Sequence, residues 1–245
     1  MRWGTLAMSD PIIEISDLTA GYGETRVIHD LGMTIDKGTL CAIVGPNGHG
    51  KTTLLKTISG LIKVFSGSVI FDGDVITHER VDRIVAKGLV HVPQGDLIYP
   101  QMTVHDNLLM GSYLENDSRR SAERLQTVFE LFPRLKERRG QHANSLSGGE
   151  RRMLGIGRGL MTDGRVIMID EPSLGLAPIV IEQIYKVINL LMSEGRTILI
   201  VEESVTRVTD LATNIYLLDT GKIVWNGAPD QLIQNRDLLK TYLGS

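Results

Sequence analysis

The sequence predicts an α/β fold built around a mainly parallel β-sheet. Short apolar runs, which are typical of buried strands, alternate along the chain with segments of helical periodicity. A glycine-rich loop joins one of these strands to a helix, and two other strands end in adjacent acidic residues. Strands that alternate with helices lie parallel in a sheet, because each helix carries the chain back to the same starting edge.

The N-terminal region departs from this alternation and predicts a small antiparallel sheet. Its apolar segments are short and are separated by turns rich in Gly and Asp, a pattern typical of hairpins. The predicted strands of this region are Ile12–Ile15, Val27–His29 and Met33–Ile35. The next segments predict a strand–loop–helix unit, further short strands and a buried strand, in that order, at Leu40–Leu61, Gly67–Ile76 and Gly88–Pro93.

The middle of the chain, from Thr103 to Arg139, has the periodicity of helices. Leu125, Val128, Phe129 and Phe132 fall at positions i, i+3, i+4 and i+7, so we expect a helical insert with one apolar face. The remaining predicted elements are a helix after Glu150, a strand at Arg165–Pro172, a helix at Ile181–Met192, a strand at Thr197–Val201, a hairpin at Ile215–Gly227 with its turn at Asp219–Gly221, and a helix at Asp230–Tyr242.

Composition and charge limit the classes of function. The chain has 245 residues and a net charge of −3, so it is long enough for one large α/β domain and carries no general basic field that would attract nucleic acid. The single cysteine, Cys41, excludes an internal disulfide. No apolar run reaches the roughly 18 residues of a transmembrane helix, and the N-terminus lacks the apolar core of a signal peptide. Either Met1 or Met8 can be the start of the protein.

The glycine-rich loop matches the phosphate-binding motif G-x-x-x-x-G-K-[ST] without a gap. Glycines let such a loop wrap around phosphates with its N–H groups pointing inward, and the start of the next helix adds partial positive charge. A chance glycine-rich turn is the alternative, and the strand before and helix after the loop argue against it. The candidate nucleotide-binding residues are Gly45, Pro46, Asn47, Gly48, His49, Gly50, Lys51, Thr52 and Thr53. Lys51 can reach the β- and γ-phosphates, and the Thr52 hydroxyl can bind Mg²⁺.

The strand at Arg165–Pro172 supplies a second half-site. Asp170 ends the apolar run and can hold Mg²⁺ directly or through water, while Glu171 can polarise a water that attacks the γ-phosphate. A solvated strand end is the alternative interpretation. The phosphate loop makes the catalytic interpretation the stronger one.

Leu146-Ser-Gly-Gly-Glu150 separates the protein families that share these two motifs. If this segment is considered without the other motifs, an ordinary helix N-cap at Ser147 explains it equally well. In combination with the other motifs, the sequence resembles the signature of ATP-binding cassette (ABC) proteins, usually Leu-Ser-Gly-Gly-Gln. The resemblance covers about residues 12–244. It implies a RecA-like P-loop ATPase core with an N-terminal antiparallel β-subdomain and a helical subdomain insert.

The resemblance also implies roles for further residues. Tyr22 matches the aromatic residue that stacks on adenine. Gln94 matches the glutamine that senses Mg²⁺ and the attacking water, and Ser173–Pro178 matches the loop after the catalytic Glu.

The resemblance further implies a dimer in which two cassettes sandwich two ATP molecules head to tail. Each site would then take its phosphate loop from one subunit and the turn Ser147, Gly148 and Gly149 from the other, so one chain alone should hydrolyse ATP poorly.

Within the family, the chain is similar to the smaller of the paired ATPases of branched-chain amino-acid uptake. This resemblance rests on four segments: Met102–Tyr113, Val128–Gln141, Asp170–Pro178 and Tyr242–Gly244. It implies a cytoplasmic protein that is peripheral on the inner face of the bacterial cell membrane. The implied partners are a second ATPase subunit, identical or homologous, two membrane permeases and, indirectly, a periplasmic solute-binding protein. We expect the permeases to dock around Ile98–Tyr113, through Tyr99, Met102 and Leu108.

The resemblance implies one domain over residues 1–245, with the core and β-subdomain at about 12–95 and 146–245 and the helical subdomain at about 96–145.

Three departures from the family pattern stand out. His49 occupies a position usually held by a small residue, and the simpler expectation is that its ring points to solvent. Gly155, Gly157 and Gly159 interrupt a helix, through either close packing or a need for a softer helix. Ala177 stands where many members carry Asp.

Glu203 is the fourth departure, because it occupies the position of the histidine that contacts the γ-phosphate. Branched-chain members commonly carry a neutral Gln there. An ionised carboxylate about 4 Å from a phosphate charge is repelled by roughly 4 kcal/mol at an effective dielectric of about 20. Glu203 is therefore protonated, rotated to a nearby Arg or to solvent, or a cause of slow hydrolysis. Glu202 is expected to face the other side of the sheet in a structural role.

Three alternative functions stay open. A non-transport ABC protein of DNA repair or translation would need a coiled coil or a second cassette, and neither is evident. A catalytically weakened cassette, whose partner hydrolyses ATP, is favoured by Glu203 and opposed by Lys51, Asp170 and Glu171. ATPases of urea and amide importers share the same architecture.

Overall fold

The computed structural model describes residues 10–95 and 97–243. The choice between Met1 and Met8 and the end of the resemblance at Gly244 lie outside these residues. In the described part, the strands are β1 (Pro11–Tyr22), β2 (Thr25–Asp36), β3 (Leu40–Val44), β4 (Lys63–Phe71), β5 (Asp74–Val75), β6 (Leu89–Val92), β7 (Val166–Asp170), β8 (Thr197–Glu202), β9 (Asn214–Asp219) and β10 (Lys222–Gly227).

The helices lie between and after these strands. They are α1 (Lys51–Ile58), α2 (Val81–Ala86), α3 (Val104–Leu109), α4 (Ser118–Leu131), α5 (Pro133–Glu137), α6 (Gly148–Leu160), α7 (Pro178–Ser193), α8 (Pro229–Gln234) and α9 (Arg236–Leu243). No helix in residues 10–95 and 97–243 is both long and apolar enough to cross a membrane.

The larger sheet has the strand order β10-β9-β3-β8-β7-β6. The neighbours from β9 to β6 pair in parallel, and β10 adds an antiparallel edge. The predicted mainly parallel sheet is therefore confirmed. Its carboxyl edge brings Val44, Glu202 and Asp170 side by side, since Val44 pairs with Glu202 and Asp170 pairs with Val201. Ligand sites of open α/β sheets form at this edge.

Alternate residues of the central strands enter two separate cores. In β3, Ala42 packs in a core with helices α3 to α8, and Ile43 packs in a core with α1 and the smaller sheet. Both side chains are fully buried. A strand buried on both faces needs an unbroken apolar run, which explains why β3, β7 and β8 were predictable from sequence.

The smaller sheet is antiparallel, with the order β2-β1-β4-β5. The predicted separate strands Val27–His29 and Met33–Ile35 are wrong as boundaries, because they belong to one continuous strand, β2. Register shifts in the β1–β2 pair absorb the interruption, and Asp30 there has φ 46°. A bulge of this kind inserts unpaired residues without ending the strand.

The predicted helical region is confirmed as α3, α4 and α5, and Val128, Phe129 and Phe132 are buried in the core. The predicted last helix, Asp230–Tyr242, is instead two helices that meet at Asn235. The short helix α2 was not predicted. Its six residues are mostly exposed, so it carries little apolar periodicity.

Candidate active site

The phosphate-binding motif forms the connection from β3 to α1 at the carboxyl edge of the larger sheet. A β-carbon on Gly45 would lie 2.2 Å from the carbonyl oxygen of Leu218, so only glycine fits there. Gly50 caps α1 with φ 105°, a conformation that favours glycine. The loop therefore keeps its N–H groups and the start of α1 at the edge of the sheet, where an anion can bind.

Lys51 is buried, at 3% exposure, and its ammonium group is held by the loop itself. It donates to the carbonyl oxygens of Gly45 at 2.8 Å and Pro46 at 3.0 Å. It also lies 3.4 Å from Glu171 Oε1. The predicted phosphate-binding lysine and the predicted base are therefore brought into contact.

Asp170 is fully buried at the end of β7. Neither carboxylate oxygen has a hydrogen-bond partner among the described residues. Burial raises the pKa of the Asp170 carboxyl above its usual range. The Thr52 hydroxyl lies close enough to lower this pKa, but its placement falls outside the geometry of a hydrogen bond. A buried carboxylate without partners is costly unless a cation neutralises it.

The donors at this position suit Mg²⁺, which prefers carboxylate, hydroxyl and phosphate oxygens and needs few protein ligands. Thr52 opens α1 beside Asp170 and supplies the hydroxyl. No group of three or more His, Cys, Asp or Glu side chains that could hold a metal exists in residues 10–95 and 97–243. A metal here would therefore bind through few protein oxygens and the phosphates of a nucleotide.

Glu171 has φ 45°, a left-handed backbone conformation that is strained for a side chain of this type. Its carboxylate lies beside Lys51, with Oε1 3.4 Å from Nζ. Glu171 Oε2 accepts a hydrogen bond from Gln94 Nε2 at 2.9 Å, so the two predicted catalytic residues are in contact. A cavity of about 280 Å³ opens beside this pair, between Gly95 and Leu174. It can hold a water next to the carboxylate.

Glu203 is exposed at the end of β8, and its Oε2 accepts a hydrogen bond from Asn47 Nδ2 at 3.1 Å. The side chain is therefore held by an amide of the phosphate loop while it stays exposed to solvent, and the choice among the three states expected for Glu203 stays a prediction. Glu202 is 2% exposed and accepts from the Tyr185 hydroxyl at 2.9 Å and the Ser173 N–H at 3.2 Å. These contacts confirm the structural role expected for Glu202.

His49 does not point freely to solvent, which corrects that expectation. Its Nδ1 lies 2.6 Å from Asp219 Oδ1, and its carbonyl oxygen accepts from the Gly221 N–H at 3.0 Å. The turn between β9 and β10 therefore holds the phosphate loop through two contacts with His49. Asp219 was missed as a contributor to the site because its partner lies 170 residues away in sequence.

The turn Ser147–Gly149 begins α6 and is stabilised by a capping box. Ser147 Oγ accepts from the Glu150 N–H at 3.3 Å, and the Glu150 side chain accepts from the Ser147 N–H at 2.9 Å. Tyr22 ends β1 with half of its surface exposed. Among the residues that the structure describes, no hydrogen bond or ion pair joins either feature to the phosphate loop. The contact predicted for the signature turn is with a nucleotide that is bound to the phosphate loop of a second subunit.

Two of the glycines that interrupt α6, Gly157 and Gly159, lie in close packing. A β-carbon would lie 2.9 Å from Val128 Cγ1 if added at Gly157, and 2.6 Å from Val92 Cγ2 if added at Gly159. Close packing therefore explains Gly157 and Gly159 without a need for a softer helix.

The expected docking region needs one correction. Leu108 is fully buried in the core, so it is unable to contact a partner. Tyr99 is 46% exposed, and Met110 and Tyr113 are also exposed. These three side chains line an open groove of about 460 Å³, and Arg158 of α6 also lines it, with its guanidinium 5.2 Å from the centre of the Tyr99 ring.

Comparisons with known proteins agree on one family. The family model described as "ABC transporter" matches residues 28–174. The chain is 37% identical to the high-affinity branched-chain amino acid transport ATP-binding protein BraG of Pseudomonas aeruginosa, over 95% of this chain and 100% of that protein. It is 30% identical to the lipopolysaccharide export system ATP-binding protein LptB of Haemophilus influenzae, over 95% of this chain and 97% of that protein. Among solved structures, an ATP-binding cassette of an ABC transporter in its ADP conformation superposes with a TM-score of 0.82 and 27% identity, over 96% of this chain and 99% of that chain.

Proposed function

Because this chain belongs to the ABC transporter family and is an ATPase, we propose that it powers the uptake of a small solute, of the class of the branched-chain amino acids. The observation that supports active hydrolysis is the contact of Lys51, Glu171 and Gln94 beside the buried Asp170. A cassette that had lost catalysis would have no need to retain this arrangement. The identity to a branched-chain amino-acid transport protein supports the solute class.

Asp170 and Thr52, with Gln94, would hold Mg²⁺, which supplies positive charge to the phosphates when it is bound. The loop N–H groups and Lys51 bind the phosphate oxygens, and Tyr22 supports the adenine. Glu171 accepts a proton from the water in the adjoining cavity as that water attacks. Gln94 holds Glu171 and can contact the same water, since its amide has both a donor and an acceptor.

The signature turn acts on the nucleotide of a second subunit. Ser147, Gly148 and Gly149 open a helix of 13 residues, whose N-terminus favours an anion. Since no hydrogen bond or ion pair among the described residues joins this turn to the phosphate loop of its own chain, a complete site is proposed to take the turn from a second chain. ATP then stabilises the closed dimer to the extent that it binds that state more tightly.

The partners in the membrane are two permeases, which place this chain at the cytoplasmic face. The groove beside Tyr99, Met110 and Tyr113 is the proposed docking surface, because these three large side chains are exposed and line it together. We further propose that residues of about 96–145 form a helical subdomain beside the core and β-subdomain at about 12–95 and 146–245. A solute-binding protein outside the membrane would act through the permeases.

The identity to a lipopolysaccharide export ATPase supports a second candidate, which is the same ATPase coupled to export. The two candidates share the site chemistry and differ in the permeases that dock. Co-purification with membrane proteins, followed by reconstitution into vesicles, separates them. Stimulation of ATP hydrolysis by leucine with its binding protein would support uptake of branched-chain amino acids. Stimulation by urea would instead identify urea as the solute. Stimulation only by a lipid would favour export.

The catalytic assignment is tested by Glu171→Gln, which should bind ATP normally, hydrolyse it at least a hundredfold more slowly and accumulate as a closed dimer on size-exclusion chromatography. Glu123→Gln is the matched control, because Glu123 is an exposed carboxylate on α4. Full turnover by the Glu171 variant would remove this residue from its role. Lys51→Ala should weaken ATP binding sharply, and unchanged affinity would overturn the phosphate assignment.

A further inference from the structure

Arg152 is a buried arginine, 4% exposed, in the second turn of α6. Its guanidinium donates to three backbone carbonyl oxygens that belong to two other parts of the chain. Nη1 donates to Pro93 O at 2.7 Å and to Gly95 O at 2.9 Å, and Nη2 donates to Asp170 O at 2.6 Å.

These three carbonyl groups frame the predicted catalytic pair. Pro93 and Gly95 lie on either side of Gln94, so Arg152 holds the backbone on both sides of that residue. The third carbonyl belongs to Asp170, directly before the strained backbone of Glu171. One guanidinium therefore fixes the two backbone segments whose side chains meet at 2.9 Å.

The chemistry of arginine suits this task. Its planar guanidinium presents several N–H donors in a fixed geometry, and hydrogen bonds from a charged donor are stronger than neutral ones. Lysine carries the charge on one flexible nitrogen. Glutamine has a neutral amide with two N–H donors, so it would leave at least one of these carbonyl groups without its donor.

We infer that Arg152 is a positioning residue that sets the contact between Gln94 and Glu171 and ties it to the helix whose first turn faces the nucleotide of the partner subunit. The inference rests on the proposed role of Glu171. A small displacement of a catalytic group lowers the rate of the chemical step without an equal loss of substrate binding.

The test compares Arg152→Gln and Arg152→Lys in the full chain, with ATP turnover, KM for ATP and the urea unfolding midpoint measured for each. Arg152→Gln should lower kcat about tenfold to a hundredfold with KM for ATP within about twofold of the native value. Arg152→Lys should recover part of kcat. Arg165→Gln is the matched control, since Arg165 lies next to the opposite end of β7 from Asp170 and also donates to a backbone carbonyl, that of Lys87.

A second measurement separates positioning from general support of the fold. In the Glu171→Gln background, Arg152→Gln should cause no further loss in single-turnover hydrolysis, because the group on which it acts is already gone. Additive losses, or a change in KM with kcat unchanged, would overturn the inference. If Glu171→Gln alone retains full turnover, it is the proposed function that fails. Should Arg152→Gln not fold, a native kcat in Arg152→Lys overturns the inference, and a reduced kcat with native KM supports it.

Discussion

His91 on β6 should make the stability of the folded chain depend on pH. Its Nδ1 lies 3.0 Å from Ser59 Oγ, and the Ser59 hydroxyl donates its own hydrogen to Leu55 O at 2.7 Å. Nδ1 therefore carries a hydrogen and donates it to Ser59. The other ring nitrogen, Nε2, is buried without a hydrogen-bond partner among the described residues. A proton placed on Nε2 would be a buried donor with no acceptor.

Burial lowers the pKa of His91 from its usual 6.5 to about 4, and the positive charge of Lys56 adds to this effect. The unfolded chain therefore binds a proton at higher pH than the folded chain does. The resulting stability is fully present above pH 6.5 and is lost as the pH falls from 6.5 towards 4. Between pH 7 and pH 5 this linkage lowers the free energy of unfolding by about 2 kcal/mol.

Urea denaturation at pH 7 and pH 5 measures this loss in the native chain and in His91→Gln. The glutamine amide keeps a donor for Ser59 and does not titrate, so the variant should lose about 2 kcal/mol less than the native chain over this range. His78→Gln is the matched control, because His78 is exposed. Equal losses in the native chain and in His91→Gln would refute the assignment, whatever the absolute stability of the variant.

Three further predictions concern the site and its support. Glu203→Gln should raise kcat/KM for ATP several-fold, because it removes a carboxylate that repels phosphate, and an unchanged rate would contradict this. Asp219→Asn should raise KM for ATP by up to about fivefold, since it weakens a partly exposed hydrogen bond with His49 worth at most about 1 kcal/mol. The same change in a His49→Ala background should then have no effect, and a further rise in KM would show that the pair is not the cause. Gly159→Ala should lower stability by about 1 kcal/mol in urea denaturation, because a β-carbon would meet a β6 side chain at 2.6 Å and this crowding outweighs the better helix propensity of Ala. Gly140→Ala, where a β-carbon has open space, should be close to neutral, and equal losses at both positions would exclude crowding as the cause.

The central strands and their order along the chain could be predicted because a strand buried on both faces is an unbroken apolar run in the sequence. In β7 all five residues from Val166 to Asp170 are buried, so the apolar run has no polar interruptions before its acid. Elements at the edges of the fold have a weaker pattern of apolar residues, so their boundaries were harder to predict. Two predicted strands were one strand with a bulge at Asp30, and one predicted helix was two, because a local break in pattern does not tell whether pairing continues beyond it.

The site follows the same division. The phosphate loop and the acid after β7 were found because each is a local motif, and the structure brings Lys51 and Glu171 into contact. Arg152 and Asp219 were missed because their partners are distant in sequence. Arg152 donates to Pro93, which lies 59 residues earlier, and no local pattern encodes that contact. A charged residue directly before the buried Met153 was the one available signal.

The two strands that end in paired acids show why residue type alone does not assign a role. Asp170 and Glu202 both end central strands and are both buried. Glu202 is satisfied by the Tyr185 hydroxyl and the Ser173 N–H, whereas both oxygens of Asp170 lack partners in the part of the chain that the structure describes. A satisfied buried carboxylate needs nothing more, so Glu202 stabilises the fold. An unsatisfied one needs a cation, and therefore the strand ending in Asp170 is the one that carries the proposed chemistry.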